Sequence, residues 1–160
     1  MKIKGLIDTD FVNYKNISMF ISLGTCNWKC CKESNIPISI CQNSELAKQK
    51  DIDISVEEIF HRYISNPITS AICIGGLEPL TKWNDIINLI KYFRENKCND
   101  TFIIYTGYYE NEIDKQIKQV RPYRNIICKF GRYKPNNNPH YDDILGIKLI
   151  SDNQFGKVIC

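Results

Sequence analysis

Four of the eight cysteines in this 160-residue chain crowd into one segment, Cys26 to Cys41, and no other feature narrows the fold and chemistry as far. Three residues separate Cys26 from Cys30, Cys31 follows directly, and Cys41 closes the segment just before Gln42 and Asn43. Thiolates at such spacing can wrap one iron–sulfur cluster from a single loop. An apolar run, Ile17 to Leu23, precedes them and ends at Gly24, which puts the cysteines at the C-terminal end of a predicted strand. That is where α/β folds place their chemistry.

A four-thiolate zinc site built from Cys26, Cys30, Cys31 and Cys41 is the competing reading. It matches less well, because structural zinc sites typically pair two well-spaced cysteine knuckles. Disulfides fit worse: no signal peptide precedes the first strand, and the expected setting is the reducing cytoplasm. Cys73 lies in an apolar strand and reads as a small buried hydrophobe, while Cys98, Cys128 and Cys160 are scattered without ligand spacing. The apolar runs are strand-sized, short of the ~20 residues a spanning helix needs. A net charge of only +3, with the signs interspersed, gives nucleic-acid binding no support.

The remaining elements alternate. Met1 to Ile7 predicts a first strand, and Ser44 to Lys50 a helical turn or two. A clear helix follows Ser55, which forms a capping box with Glu58 ahead of Val56, Ile59, Phe60, Tyr63 and Ile64 at helical spacing. Ser70 to Ile74 is a continuous apolar run, the mark of a strand buried on both faces, and it ends in Gly75-Gly76-Leu77-Glu78-Pro79. Pro79 to Lys97 predicts a long amphipathic helix, with Leu80, Trp83, Ile86, Ile87, Ile90 and Phe93 on one face. Thr101 to Tyr105 is again a strand, closed by Thr106 and Gly107, and an acidic helix covers Glu110 to Val120. Asn125 to Phe130 makes a further strand, leading through Gly131, Arg132 and Tyr133 into a loop of asparagines and prolines. Arg132 is a candidate for an anion or partner contact, set against the plainer reading of a solvated loop arginine. Two short strands, Gly146 to Ser151 and Gly156 to Ile159, end the chain. Neither His61, facing away from its apolar stripe, nor His140 has a partner at ligand spacing.

Cys26-Asn-Trp-Lys-Cys30 followed by Cys41-Gln-Asn43 resembles the CxxxCxxC signature of radical S-adenosylmethionine enzymes, in whose activating members the third cysteine is often followed by a polar residue and Asn. It departs from it plainly: Glu33 stands three residues after Cys30, and ten residues, Cys31 to Ile40, lie where that family has two. The resemblance therefore places the third ligand at Cys41, with Cys31 as the rival. Side chains at neighbours such as Cys30 and Cys31 diverge in an extended or turning backbone, which disfavours both serving one cubane. Gly75-Gly76-Leu77-Glu78-Pro79 resembles the GGEP motif that binds the amino group of S-adenosylmethionine. The inserted Leu77 leaves that contact between Glu78 and the Gly75–Gly76 backbone. Ile104-Tyr-Thr-Gly-Tyr108 and Ser151-Asp-Asn-Gln154 resemble segments of the enzymes that activate anaerobic (class III) ribonucleotide reductase.

Strands alternating with helices indicate an α/β fold with a mostly parallel sheet. Only about four or five βα units fit one domain of residues 1–160, against eight in a closed barrel of ~250 residues; an incomplete (β/α) barrel is expected, as the resemblance also implies. The resemblance implies a [4Fe–4S] cluster on Cys26, Cys30 and Cys41 with one iron left open, and S-adenosylmethionine bound by Asn43, Gly75, Gly76, Glu78, Thr106 and Gly107. It further implies reductive cleavage to a 5′-deoxyadenosyl radical, driven by a flavodoxin- or ferredoxin-type donor, and hydrogen abstraction from a glycine of a partner, class III ribonucleotide reductase. Two alternatives stand beside it: a radical enzyme acting on a small molecule or peptide, and a non-catalytic iron–sulfur or zinc protein.

Overall fold

A computed structural model describes residues 1–160. The chain begins with β1 (Lys2–Asp10) and β2 (Ser18–Leu23), then α1 (Lys29–Glu33) inside the cysteine segment and α2 (Ser44–Lys48). A two-residue strand β3 (Ile52–Asp53) precedes α3 (Val56–Ile64) and β4 (Ala71–Gly76). Next come α4 (Trp83–Glu95), β5 (Thr101–Tyr105), α5 (Asp114–Val120) and β6 (Ile126–Phe130), and then β7 (His140–Asp142), β8 (Ile147–Leu149) and β9 (Phe155–Val158).

Seven strands form one open sheet in the order β3-β1-β2-β4-β5-β6-β9, and β7 pairs only with β8. Parallel pairing is confined to the four central strands, β2, β4, β5 and β6; both flanks run antiparallel. The loop joining β1 to β2 explains one flank, since it is too short for the crossover of a dozen or more residues that parallel strands require. Helices α3, α4 and α5 lie in the three long connections and supply such crossovers.

Strand alternation divides the sheet into two unlike faces. Met19, Ile21, Ile72, Ile74, Phe102, Ile104, Ile126 and Cys128 point to the helices and share a core with Ile59, Phe60 and Tyr63 of α3 and Ile86, Leu89, Ile90 and Phe93 of α4. Phe93 holds that layer together, its ring lying 5.0 Å from Phe60 and 5.2 Å from Phe102, both edge-on. The residues between them, Ala71, Cys73, Ile103 and Ile127, face the other way, under Tyr14 of the β1–β2 loop and Leu145 and Leu149 of the β7–β8 segment. This cover lies over the N-terminal part of the strands. Farther along, Phe20, Ser22, Tyr105 and Lys129 of the same face border a cavity instead.

Several sequence expectations need adjustment. The helix expected from Pro79 opens with a 3-10 turn, Pro79–Lys82, and Leu89 joins its buried face. Ser55 caps α3, accepting from Glu58 N–H at 3.0 Å, but the expected capping box lacks its return bond to the Glu58 carboxylate, and Ile64 is exposed. Of the two C-terminal strands, one leaves the main sheet to pair with β7, which the polar composition of that loop had hidden. Cys73 is fully buried, as its apolar strand predicts. No helix is long and apolar enough to cross a membrane.

Candidate metal centre

The cysteine segment is pinned at its start rather than folded by its own propensity. Glu78 N–H donates to Thr25 O at 2.9 Å, and the Thr25 and Thr81 hydroxyls meet at 2.6 Å, so the segment and the turn after β4 are one unit. Trp28 adopts a left-handed conformation, φ 60°, and its N–H points to Cys26 Sγ at 3.3 Å. That reversal starts α1, which carries Cys30 and Cys31. A 3-10 turn, Ile38–Ile40, then delivers Cys41, and Ser44 N–H closes onto Cys41 O at 2.9 Å to begin α2.

These turns bring Cys26, Cys30, Cys31 and Cys41 to a single cavity of ≈ 440 Å³ at the C-terminal ends of the parallel strands. Asn43, Gly76, Glu78, Thr106 and Gly107 border it too. Gly75 does not: its missing side chain leaves room for Phe20 and Tyr105, whose atoms lie 3.2 and 3.3 Å from where a Cβ would stand. Asn43 Nδ2–H donates to Gly76 O and so anchors the residue after Cys41 on the glycine turn. Gly76 itself needs to be glycine, because its φ is +80° and a Cβ would touch Ser22 and Leu46 at 3.0 Å.

Glu78 is turned inward, 6% exposed. Its Oε1 accepts from Thr106 Oγ1–H at 2.8 Å and Leu80 N–H at 3.2 Å, and its Oε2 from Gly107 N–H at 2.9 Å. Burial raises its pKa against the pull of these donors. The carboxylate therefore staples the end of β4 to the end of β5. Gly107 lies so close to the cysteine segment that a Cβ there would stand 2.8 Å from Cys30 Sγ. Gly107→Ala should displace Cys30 and lower the iron retained per chain severalfold after anaerobic reconstitution, while circular dichroism stays unchanged. Full iron content in the variant would show that the Cys30 sulfur has no fixed seat there.

The sequence reading misses Lys129 at the cavity and takes Arg132 more plainly as a solvated loop arginine than as a contact residue. Lys129 of β6 borders the cavity, 8% exposed, with Gly131 O at 3.3 Å as its hydrogen-bond acceptor; burial lowers its pKa to about 8. A lysine inside an otherwise apolar strand was the available signal. Arg132 is not a solvated loop residue: it is 2% exposed, because Glu33 and Glu112 neutralise it and the Tyr109 ring covers it at 4.7 Å. Held by Arg132, Lys29 and Tyr109 N–H, the Glu112 carboxyl drops to about 2.

The donor set fits an iron–sulfur cluster. Four cysteine side chains border one cavity, and a cubane takes its thiolates on separate irons. Burial pushes the Cys26 thiol up to about 11 and raises Cys30 and Cys31 as well. Metal binding must displace these protons.

Fold and site together define an α/β protein with a cysteine-lined cavity at its strand ends. The sequence matches the 4Fe-4S single cluster domain family over residues 15–146, and the chain belongs to that family. The cofactor is accordingly a single [4Fe–4S] cluster rather than zinc. No curated protein matches the chain.

Proposed function

We propose that this protein is a radical S-adenosylmethionine enzyme that activates a glycyl-radical enzyme, with an incomplete (β/α) barrel as its fold. The observation that carries the reading is convergence. Three separated stretches, the cysteine segment with Asn43, the Gly76–Glu78 turn and the Thr106–Gly107 strand end, border one cavity whose size suits a small-molecule ligand as well as a cluster. Cys26, Cys30 and Cys41 are the ligands in this reading, leaving one iron without a protein thiolate. The bound cofactors supply reductive cleavage of the sulfonium to a 5′-deoxyadenosyl radical, with the electron from a flavodoxin- or ferredoxin-type donor.

The chain's own residues bind and orient. The contact left open by the inserted Leu77 stays between two groups: the Glu78 carboxylate, which accepts three hydrogen bonds and has about four acceptor sites, and the glycine backbone, where Gly76 O accepts from Asn43 Nδ2–H. Asn43 fixes that carbonyl in place. Gly75 supports the turn by admitting Phe20 and Tyr105 beneath it, and Thr106 and Gly107 act by holding Glu78.

Anaerobic reconstitution with iron and sulfide tests the reading. Expected are four irons per chain, a cluster spectrum altered by S-adenosylmethionine, and 5′-deoxyadenosine on adding a reductant. A stable cluster that ignores S-adenosylmethionine would instead identify an electron carrier or a structural iron–sulfur protein.

A further inference from the structure

The helix that carries Cys30 has little reason of its own to exist. At five residues, α1 is far below the length at which an isolated helix persists in water, and no side chain caps its N-terminus. Its position must come from contacts made elsewhere, and those contacts converge on Arg132.

The Arg132 guanidinium reaches two separate pieces of chain. Nη2–H donates to Glu33 Oε1 at 3.0 Å, and Nε stands 2.5 Å from Glu33 Oε2, an ion pair without aligned hydrogen-bond geometry. Glu33 is the last residue of α1. Toward the segment after β5, Nη1–H and Nη2–H form a fork on the two Glu112 oxygens, both at 2.6 Å, and Nη1–H also donates to Gly107 O at 2.8 Å. Arg132 Cζ lies 4.7 Å from the Tyr109 ring centre and 5.5 Å from that of Tyr108. Lys29 completes the set from the first turn of α1, bonding Glu112 Oε1 at 2.5 Å over the Tyr108 ring. Two cations thus balance two carboxylates.

Two groups beside the Cys30 sulfur are tied to Arg132, one through its side chain and one through the backbone. Gly107, whose Cα leaves room for that sulfur, accepts from Arg132. The backbone N–H of Tyr133, beside the sulfur, belongs to the next residue in the chain. We propose that Arg132 is the positioning residue of the Cys30 ligand: its planar fork clamps α1 to the ends of β5 and β6, fixes how tightly the cluster is held, and contributes to its reduction potential. Lysine substitutes for the charge but not for the geometry, because three donors on one nitrogen do not reproduce the planar fork on Glu112 together with the bond to Glu33. The inference rests on the assignment of Cys30 as a cluster ligand.

The experiment uses the reconstituted full chain under anaerobic conditions. Iron release to a ferrous chelator is timed, and the midpoint potential is read by electron paramagnetic resonance during a redox titration. Arg132→Met leaves one of the two carboxylates unbalanced near the cluster, so the added electron is disfavoured: the reduced-to-oxidised ratio at fixed potential should fall about tenfold, equivalent to about 59 mV for one electron. Iron release should quicken at least tenfold. Arg132→Lys restores the charge, and should return the potential toward that of the unaltered protein while iron release stays fast. Glu33→Gln touches only a half-exposed partner and keeps the test sound if the Arg132 variants fold poorly; it should speed release a few-fold. Combined with Arg132→Lys it should add nothing, as expected of groups acting as one unit. Unchanged release and potential in all three variants, or release that merely tracks the melting temperature of the metal-free protein, would overturn the inference. Cys30→Ala, run alongside, separates the two claims: four retained irons there would sink the ligand assignment and this inference with it. Four irons lost there, with silent Arg132 and Glu33 variants, would overturn Arg132 alone.

Discussion

Cys26→Ala, Cys30→Ala and Cys41→Ala should each abolish S-adenosylmethionine cleavage, by a factor of at least a hundred, and leave fewer than four irons per chain after reconstitution. Cys31→Ala should keep much of both. All four thiols border the cavity, so proximity does not separate them. Orientation does: Cys30 and Cys31 are consecutive in α1, and consecutive helical side chains point about 100° apart, given 3.6 residues per turn. Cys31 is the one buried, at 3% exposure, and its thiol faces Cys41. Cys26, Cys30 and Cys41 remain partly exposed toward the cavity. A dead Cys31→Ala beside an active Cys41→Ala would reverse the assignment. The residues from Cys31 to Ile40 would then not be an insertion between ligands.

The strands were legible in the sequence where burial on both faces left continuous apolar runs. Thr101–Tyr105 is a strand with the bounds its composition suggests, and the cysteine segment follows its strand as expected. The site residues that were legible share a second property: each is named by residues adjacent in sequence, as in Gly75-Gly76 or Thr106-Gly107. Arg132 had no such signature. Its carboxylate partners lie 20 and 99 residues away, and only folding shows that a loop arginine is neutralised from both sides. Glu78 was legible as a site residue but not in its direction, since nothing local reveals that Thr106 and Gly107 will capture its carboxylate. Gly75 shows the opposite limit. Its sequence neighbourhood is that of Gly76, yet it lies under Phe20 and Tyr105, which border the cavity in its place. The antiparallel pairing of β1 with β2 followed from connection length, which composition does not display.

If the proposed activity is right, mixing this protein anaerobically with a class III ribonucleotide reductase from the same source, S-adenosylmethionine and a reductant should install a glycyl radical on the reductase. The argument rests on the Cys26–Asn43 segment, the Tyr105–Tyr108 strand end and the Ser151–Gln154 tail, all of which resemble the activators of that enzyme. The structure adds a physical reason to expect a macromolecular substrate. The sheet is open, its edge strands β3 and β9 do not pair with each other, and the cavity lies beyond the cover that Leu145 and Leu149 provide. A radical formed there needs shielding from water that these residues do not supply, and an inserted loop of the partner would supply it. Electron paramagnetic resonance on the partner should show a carbon-centred doublet that disappears when the radical-bearing glycine is replaced by alanine. Brisk formation of 5′-deoxyadenosine without that doublet would turn the assignment toward a different glycyl-radical enzyme, or toward a small molecule or peptide as the substrate.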